Sequence, residues 1–356
     1  MSSSTATVNL SAVGVDVGFF STKYTLGTRD KRSGSIEVRQ FPSVAPRVSN
    51  ALKDLTAKDS LDGAMIEVDS GVRHFVGQDA YQLMTTTGAR AVTSDYCTTS
   101  DYKALFRGAL FHIARAHKAT DSLTIDTLVA GLPLSTVYTH SKELERFIAG
   151  EHLVPSPAGA DKSLRVVIRN AMVIAQPQGA LIAHGVDGTR SMGGDFNTLV
   201  LDMGGGTFDW FVARGVKPNR ALCGAVSIGA LACSAAICDE IKPGLKENPE
   251  IMARVDKALR EGSPVVLISG VEHQMASFNA IIQRVLADAI EQMRKSVGSL
   301  DSIDKILVTG GGAHLMQSAL AEAIPQYANL IEVDKEPVAS NVRGFHSLAE
   351  YQASAR

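Results

Sequence analysis

The chain has 356 residues, of which 45% are hydrophobic and 20% are charged. At ~150 residues per domain this length allows two to three folding units, and the composition excludes wholesale disorder and a collagen-like repeat. The 35 basic and 37 acidic side chains leave a formal net charge of −2. That balance disfavours a basic face that would grip a nucleic-acid backbone.

The four cysteines have neither CxxC spacing nor the density of a disulfide framework, so they indicate a reducing compartment. The first residues, MSSSTATVN, lack the basic and apolar regions of a signal peptide. No apolar stretch approaches the ~20 residues of a membrane span. We therefore expect a cytoplasmic protein that makes no membrane contact.

Hydrophobic periodicity predicts three opening strands at residues 10–18, 21–27 and 35–41. A looser region at about 42–88, with weak strands at 64–68 and 73–76, is predicted to be an inserted subdomain. The remaining elements of the first half are a helix at 102–117, a strand at 126–131, a helix at 141–149, a strand at 164–174 and a helix at 179–186. The glycine-rich segment 187–195 predicts a hinge or domain boundary.

The second half begins like the first, with an apolar strand, an aspartate, a glycine turn and a second strand from residue 198 onwards. This similarity indicates either a weak internal repeat or two unrelated hairpins. The later pattern predicts a strand at 221–226, helices at 230–241, 251–259 and 278–297, a strand at 305–309 and a helix after Gly312.

Two of the glycine turns follow an aspartate at the end of a strand. In VGVDVGFFSTK, Asp16 precedes a turn at Gly18, and Lys23 on the returning strand could neutralise a phosphate, although a plain hairpin with solvated charges explains this segment equally well. In LVLDMGGGTFDW, three consecutive glycines follow Asp202. Such a turn favours close backbone approach to a ligand, with Asp202 beside a hydrated divalent cation and the glycine amides on a terminal phosphate.

A third glycine turn, in ILVTGGGAHL, lies between a buried strand and the start of a helix, where negative charge is favoured. The dinucleotide pattern GxGxxG is absent, and so is the P-loop pattern GxxxxGK(S/T). Any nucleotide must therefore be held between two glycine hairpins and this third turn.

The three turns, in this order, resemble those of the superfamily of actin, sugar kinases and heat-shock-chaperone ATPases. Within it, the chain is most similar to bacterial plasmid-segregation actins of the ParM/StbA type. Three further segments carry that resemblance, namely AGLPLSTVY at 130–138, GAVSIGALACSAA at 224–236 and NVRGFHSLA at 341–349. The resemblance implies a two-domain α/β fold with an interdomain nucleotide cleft, in which residues 10–185 and 337–356 form domain I and residues 195–336 form domain II.

The resemblance also implies a binding site for ATP and Mg²⁺. Asp16 and Asp202 would face Mg²⁺ through water, and Gly18 with Lys23 would contact the β-phosphate. Phe19 and Phe20 stand where relatives often have Ser or Thr, so hydroxyl contacts would come from Ser21 or Thr22 or be missing. The other implied contacts are Gly204, Gly205, Gly206 and Thr207 for the γ-phosphate, Gly229 for the ribose, and Gly310, Gly311 and Gly312 for the adenosine.

By the same resemblance, Gln176 in VIAQPQGAL takes the place of the residue that orients the attacking water, with Gln178 as its rival. A glutamine can hold water but is not an effective general base, so we expect slow hydrolysis. The resemblance implies an ATPase that polymerises into filaments for plasmid segregation, with itself and a DNA-binding adaptor at a centromere-like site as partners and no direct nucleic-acid contact. The alternatives are a small-molecule kinase of the superfamily and a non-polymerising, ATP-dependent regulator.

Overall fold

The computed structural model describes residues 6–48, 61–84, 93–186 and 194–355, and its framework is a pair of β-sheets covered by helices. The predicted two-sheet α/β architecture is therefore confirmed. The elements of the first half are β1 (Thr7–Val17), β2 (Ser21–Arg29), β3 (Ile36–Pro42), β4 (Gly63–Asp69), β5 (Val72–Gly77), α1 (Ser100–Ala116), β6 (Ser122–Leu132), α2 (Leu134–Ile148), β7 (Gly150–Ser156), β8 (Gly159–Ala175) and α3 (Gln176–Val186).

The first sheet has the strand order β3-β2-β1-β6-β8-β7, in which β1, β6 and β8 are parallel. Alternation along β1 separates its two faces. Val13 and Val15 enter the large core with α1, whereas Ala12 packs with Phe345. The strands β4 and β5 form a separate antiparallel hairpin inside the predicted inserted subdomain.

The second half forms the other sheet. Its elements are β9 (Asn197–Met203), β10 (Phe208–Arg214), β11 (Lys217–Pro218), β12 (Gly224–Val226), α4 (Ala230–Ile241), α5 (Pro249–Glu261), β13 (Val265–Ile268), β14 (Val271–Gln274), α6 (Asn279–Val297), β15 (Lys305–Thr309), α7 (Ala313–Ala323), β16 (Ile331–Val333) and α8 (Ser340–Ser354). The sheet order is β11-β10-β9-β15-β16, with β12 paired to β10. The helix α8 returns to the first half and packs against α3, β1 and β6.

Several predicted boundaries were wrong. The helix predicted at 141–149 begins at Leu134, because the backbone N–H of Leu134 donates to the Asp209 side chain over 2.6 Å and the preceding Pro133 has no N–H that would need an acceptor. The strand predicted at 221–226 is limited to Gly224–Val226. The strand β7 and the hairpin β13-β14 were not predicted, because each is short and depends on a partner strand.

The predicted hinge at 187–195 falls outside the described residues except for its last two positions. The same holds for parts of the inserted subdomain, at 49–60 and 85–88. Within the described ranges, no helix is both long enough and apolar enough to cross a membrane.

Candidate functional site

A cavity of about 270 Å³ lies where the glycine turns of the two halves face each other. Strand ends of both sheets contribute to it, as expected for turns that follow β1, β9 and β15. Most of the residues predicted from the sequence line it, namely Asp16, Gly18, Ser21, Lys23, Gln176, Asp202, Gly204, Gly205, Gly206, Thr207, Gly310 and Gly311. The structure thus brings together segments that are nearly 300 positions apart in the chain.

Asp16 is held by two donors at the end of β1. The β1-β2 hairpin places Asp16 opposite Lys23 in its antiparallel register, and Lys23 Nζ lies 3.2 Å from Asp16 Oδ2. Gln176 Nε2, at the start of α3, donates to Asp16 Oδ1 over 2.7 Å. The carboxylate is only 2% exposed, so a cation in the cavity would meet a fixed and negatively charged oxygen pair.

Asp202 occupies the matching position at the end of β9 and is 4% exposed. Burial, with a smaller contribution from nearby Asp16, raises the pKa of Asp202 to about 6, while Asn341 and Lys23 act in the opposite direction. The Nδ2 atom of Asn341 donates to Asp202 Oδ2 over 2.6 Å. Two buried carboxylates that line one cavity favour either partial protonation or a compensating cation.

The turn after Asp202 rests on the first turn of α4. The amides of Ala230 and Leu231 donate to the carbonyls of Gly204 and Gly205, each over 2.9 Å. Gly229, the residue before α4, packs directly on this turn. It lines a neighbouring pocket that shares Gly205 and Gly206 with the main cavity. The glycine carbonyls are therefore engaged by the helix, and the turn presents its backbone to the cavity.

The third glycine turn packs against the second. Gly310 has φ +87°, and a Cβ atom there would lie 2.4 Å from Asp202 Oδ1, so only glycine fits. Gly312 differs from its two neighbours, because its amide donates to the Met203 carbonyl over 2.9 Å and a Cβ there would meet the Met203 side chain. The structure therefore places Gly312 behind the cavity, on the core of the second sheet.

The first turn differs from a hydroxyl-lined phosphate loop. Ser21 lines the cavity, whereas Thr22 is fully buried and its Oγ1 lies 3.0 Å from Ser43 Oγ. The ring of Phe19 stacks on Tyr96 at a centroid distance of 4.7 Å, and the guanidinium of Arg260 lies 4.5 Å above the Phe20 ring. Of the two predicted hydroxyls, the alternation of β2 turns only Ser21 toward the cavity.

The donor set suits a hydrated divalent cation with a polyphosphate. Hard cations prefer carboxylate oxygens, and Mg²⁺ usually keeps several of its waters. Glycine-turn amides and a lysine suit phosphate oxygens. In the described residues, no group of three or more His, Cys, Asp or Glu side chains could bind a metal directly. The chemistry of the site therefore fits a cation that contacts Asp16 and Asp202 through water.

Comparison with known protein families finds a separate match for each half of the chain. Residues 14–179 match the family model for the N-terminal domain of actin-like proteins, and residues 200–322 match that for the C-terminal domain of the archaeal MreB-like actin homologue. Together the two matches account for most of the chain. The chain belongs to the actin-like proteins.

Solved structures agree on the fold of this actin-like protein across nearly its whole length. The archaeal actin homologue Ta0583 in complex with ADP is 19% identical, with a TM-score of 0.68 over 97% of this chain and 99% of the other. The Bacillus thuringiensis ParM with ATP is 16% identical, with a TM-score of 0.63 over 97% and 99%. The Alp12 filament structure is 16% identical, with a TM-score of 0.59 over 98% and 99%.

One curated relative matches a shorter part of the chain. The HscA chaperone homologue of Acinetobacter baylyi is 26% identical over 205 residues, which are 49% of this chain and 33% of the chaperone. The chain thus spans about a third of that relative. The predicted resemblance to the superfamily of actins and chaperone ATPases is confirmed by these matches.

Sequence reasoning missed several residues that line the cavity of this actin-like protein, and three of them take part in hydrogen bonds to a carboxylate. Asn341 is described above, and the other two are Asp256 and Arg260 on α5. Arg260 Nε donates to the buried Asp256 Oδ2 over 2.6 Å, four residues earlier on the same helix. Their i, i+4 spacing predicts only a surface ion pair. They line the cavity because α5 lies next to the glycine turn that follows β1. No local sequence pattern indicates that α5 lies there.

A further buried carboxylate links the site to α2. Asp209 lies opposite Asp202 in the β9-β10 register and accepts the Leu134 amide. Burial, with a contribution from Asp202, raises the pKa of Asp209 to about 7, while hydrogen bonds from Thr207 and Leu134 lower it. Asp209 therefore connects the strand after the second glycine turn to the first turn of α2.

Proposed function

We propose that this actin-like protein binds Mg·ATP in the cavity between its two sheets and hydrolyses it slowly. The observation that carries the proposal is the convergence of Asp16 and Asp202, each at the end of a strand, on one cavity with three glycine turns. Asp16 and Asp202 would hold the hydrated cation, and Lys23 with the turn at Gly18 would neutralise the β-phosphate. The nucleotides bound in two of the similar solved structures, ADP and ATP, support this choice.

The second and third glycine turns are proposed to make most of the remaining contacts to the nucleotide. The backbone of Gly204, Gly205 and Gly206, with Thr207, would bind the γ-phosphate, and Ser21 would add a hydroxyl. Gly229 would lie near the ribose and Gly310 with Gly311 near the adenosine. Thr22 and Gly312, which the sequence also suggested, are oriented toward the core, so we leave them out of the proposed contacts.

Gln176 is proposed to orient the attacking water, because its side chain lies in the cavity and donates to Asp16. This contact favours Gln176 over Gln178. A carboxamide can donate to and accept from water but cannot remove its proton effectively. The protein therefore supplies positioning and electrostatic stabilisation, and Mg²⁺, when bound, would add Lewis-acid stabilisation of the phosphate charge. Slow turnover follows.

We further propose that the protein assembles head to tail into filaments that move plasmid DNA through a DNA-binding adaptor. Support comes from the fold shared with ParM and with the Alp12 filament. A head-to-tail contact that does not close into a ring generates a helical polymer. The formal net charge of −2 favours a partner protein over direct DNA contact. The division into domain I, residues 10–185 and 337–356, and domain II, residues 195–336, is part of this proposal, as is the subdomain at about 42–88.

Right-angle light scattering followed by high-speed pelleting tests the proposal, with Mg·ATP, Mg·ADP or no nucleotide. We expect scattering to rise above a critical concentration with Mg·ATP and to decay as phosphate is released. The control is the variant D202A, in which we expect neither hydrolysis nor Mg²⁺-dependent nucleotide binding. A flat trace with ATP still hydrolysed would contradict the filament and favour a non-polymerising regulator, and a phosphorylated metabolite would favour a kinase.

A further inference from the structure

Two helices of the first domain cross at a point where neither has a side chain. A Cβ atom on Gly344 of α8 would lie 1.8 Å from the carbonyl oxygen of Gly179 on α3. A Cβ atom on Gly179 would lie 2.6 Å from the carbonyl oxygen of Asn341. Because of this close crossing, the first turns of both helices lie at the same cavity.

Each helix presents one carboxamide to one of the two aspartates. Gln176, the first residue of α3, donates to Asp16 over 2.7 Å. Asn341, the second residue of α8, donates to Asp202 over 2.6 Å. The two pairs are equivalent in chemistry, although α3 lies in the middle of the chain and α8 lies near residue 350.

The second polar atom of the Asn341 side chain, Oδ1, indicates what else this residue binds. The side chain lines the cavity, and the residue is 7% exposed. Its Oδ1 is buried and has no hydrogen-bond partner within the described part of the chain. A buried acceptor without a donor is destabilising, so a position that keeps one indicates a donor that arrives with a ligand. The ionised carboxylate of Asp202 cannot be that donor, because it carries no proton.

We propose that Asn341 is a positioning residue of the cation site, whose Nδ2 fixes Asp202 and whose Oδ1 accepts a hydrogen bond from water on the divalent cation. This inference rests on the proposed function, because it assumes that a nucleotide brings a cation to Asp16 and Asp202. The oxygen of Asn341 then acts as a third, uncharged acceptor beside the two carboxylates. Waters on a divalent cation are strong donors, and outer partners of this kind orient the residues that face the metal.

The test measures Mn²⁺ affinity by electron paramagnetic resonance, which detects free Mn²⁺, in the full-length protein saturated with ADP. The variants are N341A and N341D, and the matched control is N170A, whose Nδ2 donates to the Asp126 carbonyl over 2.8 Å away from the cavity. We expect N341A to bind Mn²⁺ at least about tenfold more weakly, because loss of an outer partner typically costs 10- to 100-fold. N170A should bind like the wild type.

N341D keeps an oxygen for the cation water but loses the donor to Asp202, and it adds a negative charge. We expect it to bind Mn²⁺ at least as tightly as the wild type in the ADP complex, which also provides a readout if N341A folds poorly. ADP binding in EDTA should stay near the wild-type value in N341A. Wild-type Mn²⁺ affinity in a folded N341A, or in N341D a loss as large as that of N341A, would overturn the inference. Failure of the wild-type protein to bind ADP or Mn²⁺ would instead overturn the proposed function and the inference with it.

Discussion

Gln176 Nε2 donates to Asp16 Oδ1 over 2.7 Å, so the carboxamide at the start of α3 is fixed against the carboxylate at the end of β1. The same Asp16 contacts Lys23 on its other oxygen. A water bound by Gln176 would therefore lie within reach of a charged and rigid group. Because Gln176 is proposed to position water and Asp16 to face the cation, mutation of Gln176 tests the first role separately from the second.

Replacing Gln176 by alanine should slow ATP hydrolysis by about tenfold or more, because a positioned water is lost. ADP affinity should change by less than about threefold, since the backbone contacts to nucleotide remain. Single-turnover phosphate release and a fluorescent-ADP titration measure the two quantities. Q178A is the matched control, and a larger loss of turnover in Q178A than in Q176A would reverse the assignment.

Replacing Asp202 by alanine should abolish hydrolysis and remove the dependence of nucleotide binding on Mg²⁺. The expected loss of turnover is roughly 100-fold or more, because the hydrated cation that stabilises the phosphate charge loses one of its two carboxylate partners. Isothermal calorimetry with ADP, in Mg²⁺ and in EDTA, measures the binding. D126A removes an aspartate that pairs with Arg169 on the protein surface and serves as the control. Wild-type turnover in D202A would exclude the site assigned above.

Gly344 should not tolerate alanine. The added Cβ would lie 1.8 Å from the Gly179 carbonyl, so α3 and α8 would have to separate. We expect the free energy of unfolding to fall by about 3 kcal/mol, at the upper end of the cost of overpacking. Denaturant unfolding of G344A measures this loss of stability. G194A is the control, because a Cβ atom added at Gly194 would meet no other atom within 4 Å. Equal stability of the two variants would contradict the tight crossing.

Protonation of His112 should destabilise the protein below about pH 6.5, whereas Asp202 and Asp209, whose pKa values are raised by burial, contribute in the opposite direction. The His112 side chain is 4% exposed and packs beside Tyr24 and Phe41. Burial, followed by the charge of Arg115, lowers the pKa of His112 from 6.5 to about 4. The unfolded chain binds the proton more readily than the folded one in this window, so stability is full above the unfolded pKa and decreases as the pH falls toward the folded value.

The decrease attributable to His112 should reach about 3 kcal/mol across that window. The variant H112F keeps an aromatic ring in the core and should remove this part of the pH dependence. Unfolding in guanidinium chloride at about pH 7.5 and about pH 5 measures the difference. The exposed His314 provides the control H314A, which should retain the wild-type slope. An unchanged slope in H112F would show that other groups dominate.

The sequence by itself determined the strands that lead into the cavity, the glycine turns and the two aspartates. These depend on local rules, namely apolar runs that end in an aspartate and turns that require glycine. The pairing of Asp16 with Lys23, seven residues later, was also predictable from the sequence, because a tight antiparallel hairpin places those two positions opposite each other. Asp202 and the turn at Gly204 were predictable for the same reason.

Only the tertiary structure decided which side chains face the cavity and which partners they have. Ser21 and Thr22 are equivalent in sequence, yet the face of β2 that meets Ser43 buries Thr22. Asn341 reaches Asp202 from a position 139 residues away, because the crossing of α8 over α3 brings its first turn to the strand ends. Periodicity reports which face of an element is apolar. It carries no information about which distant element that face meets, since this is set by packing between helices and sheets.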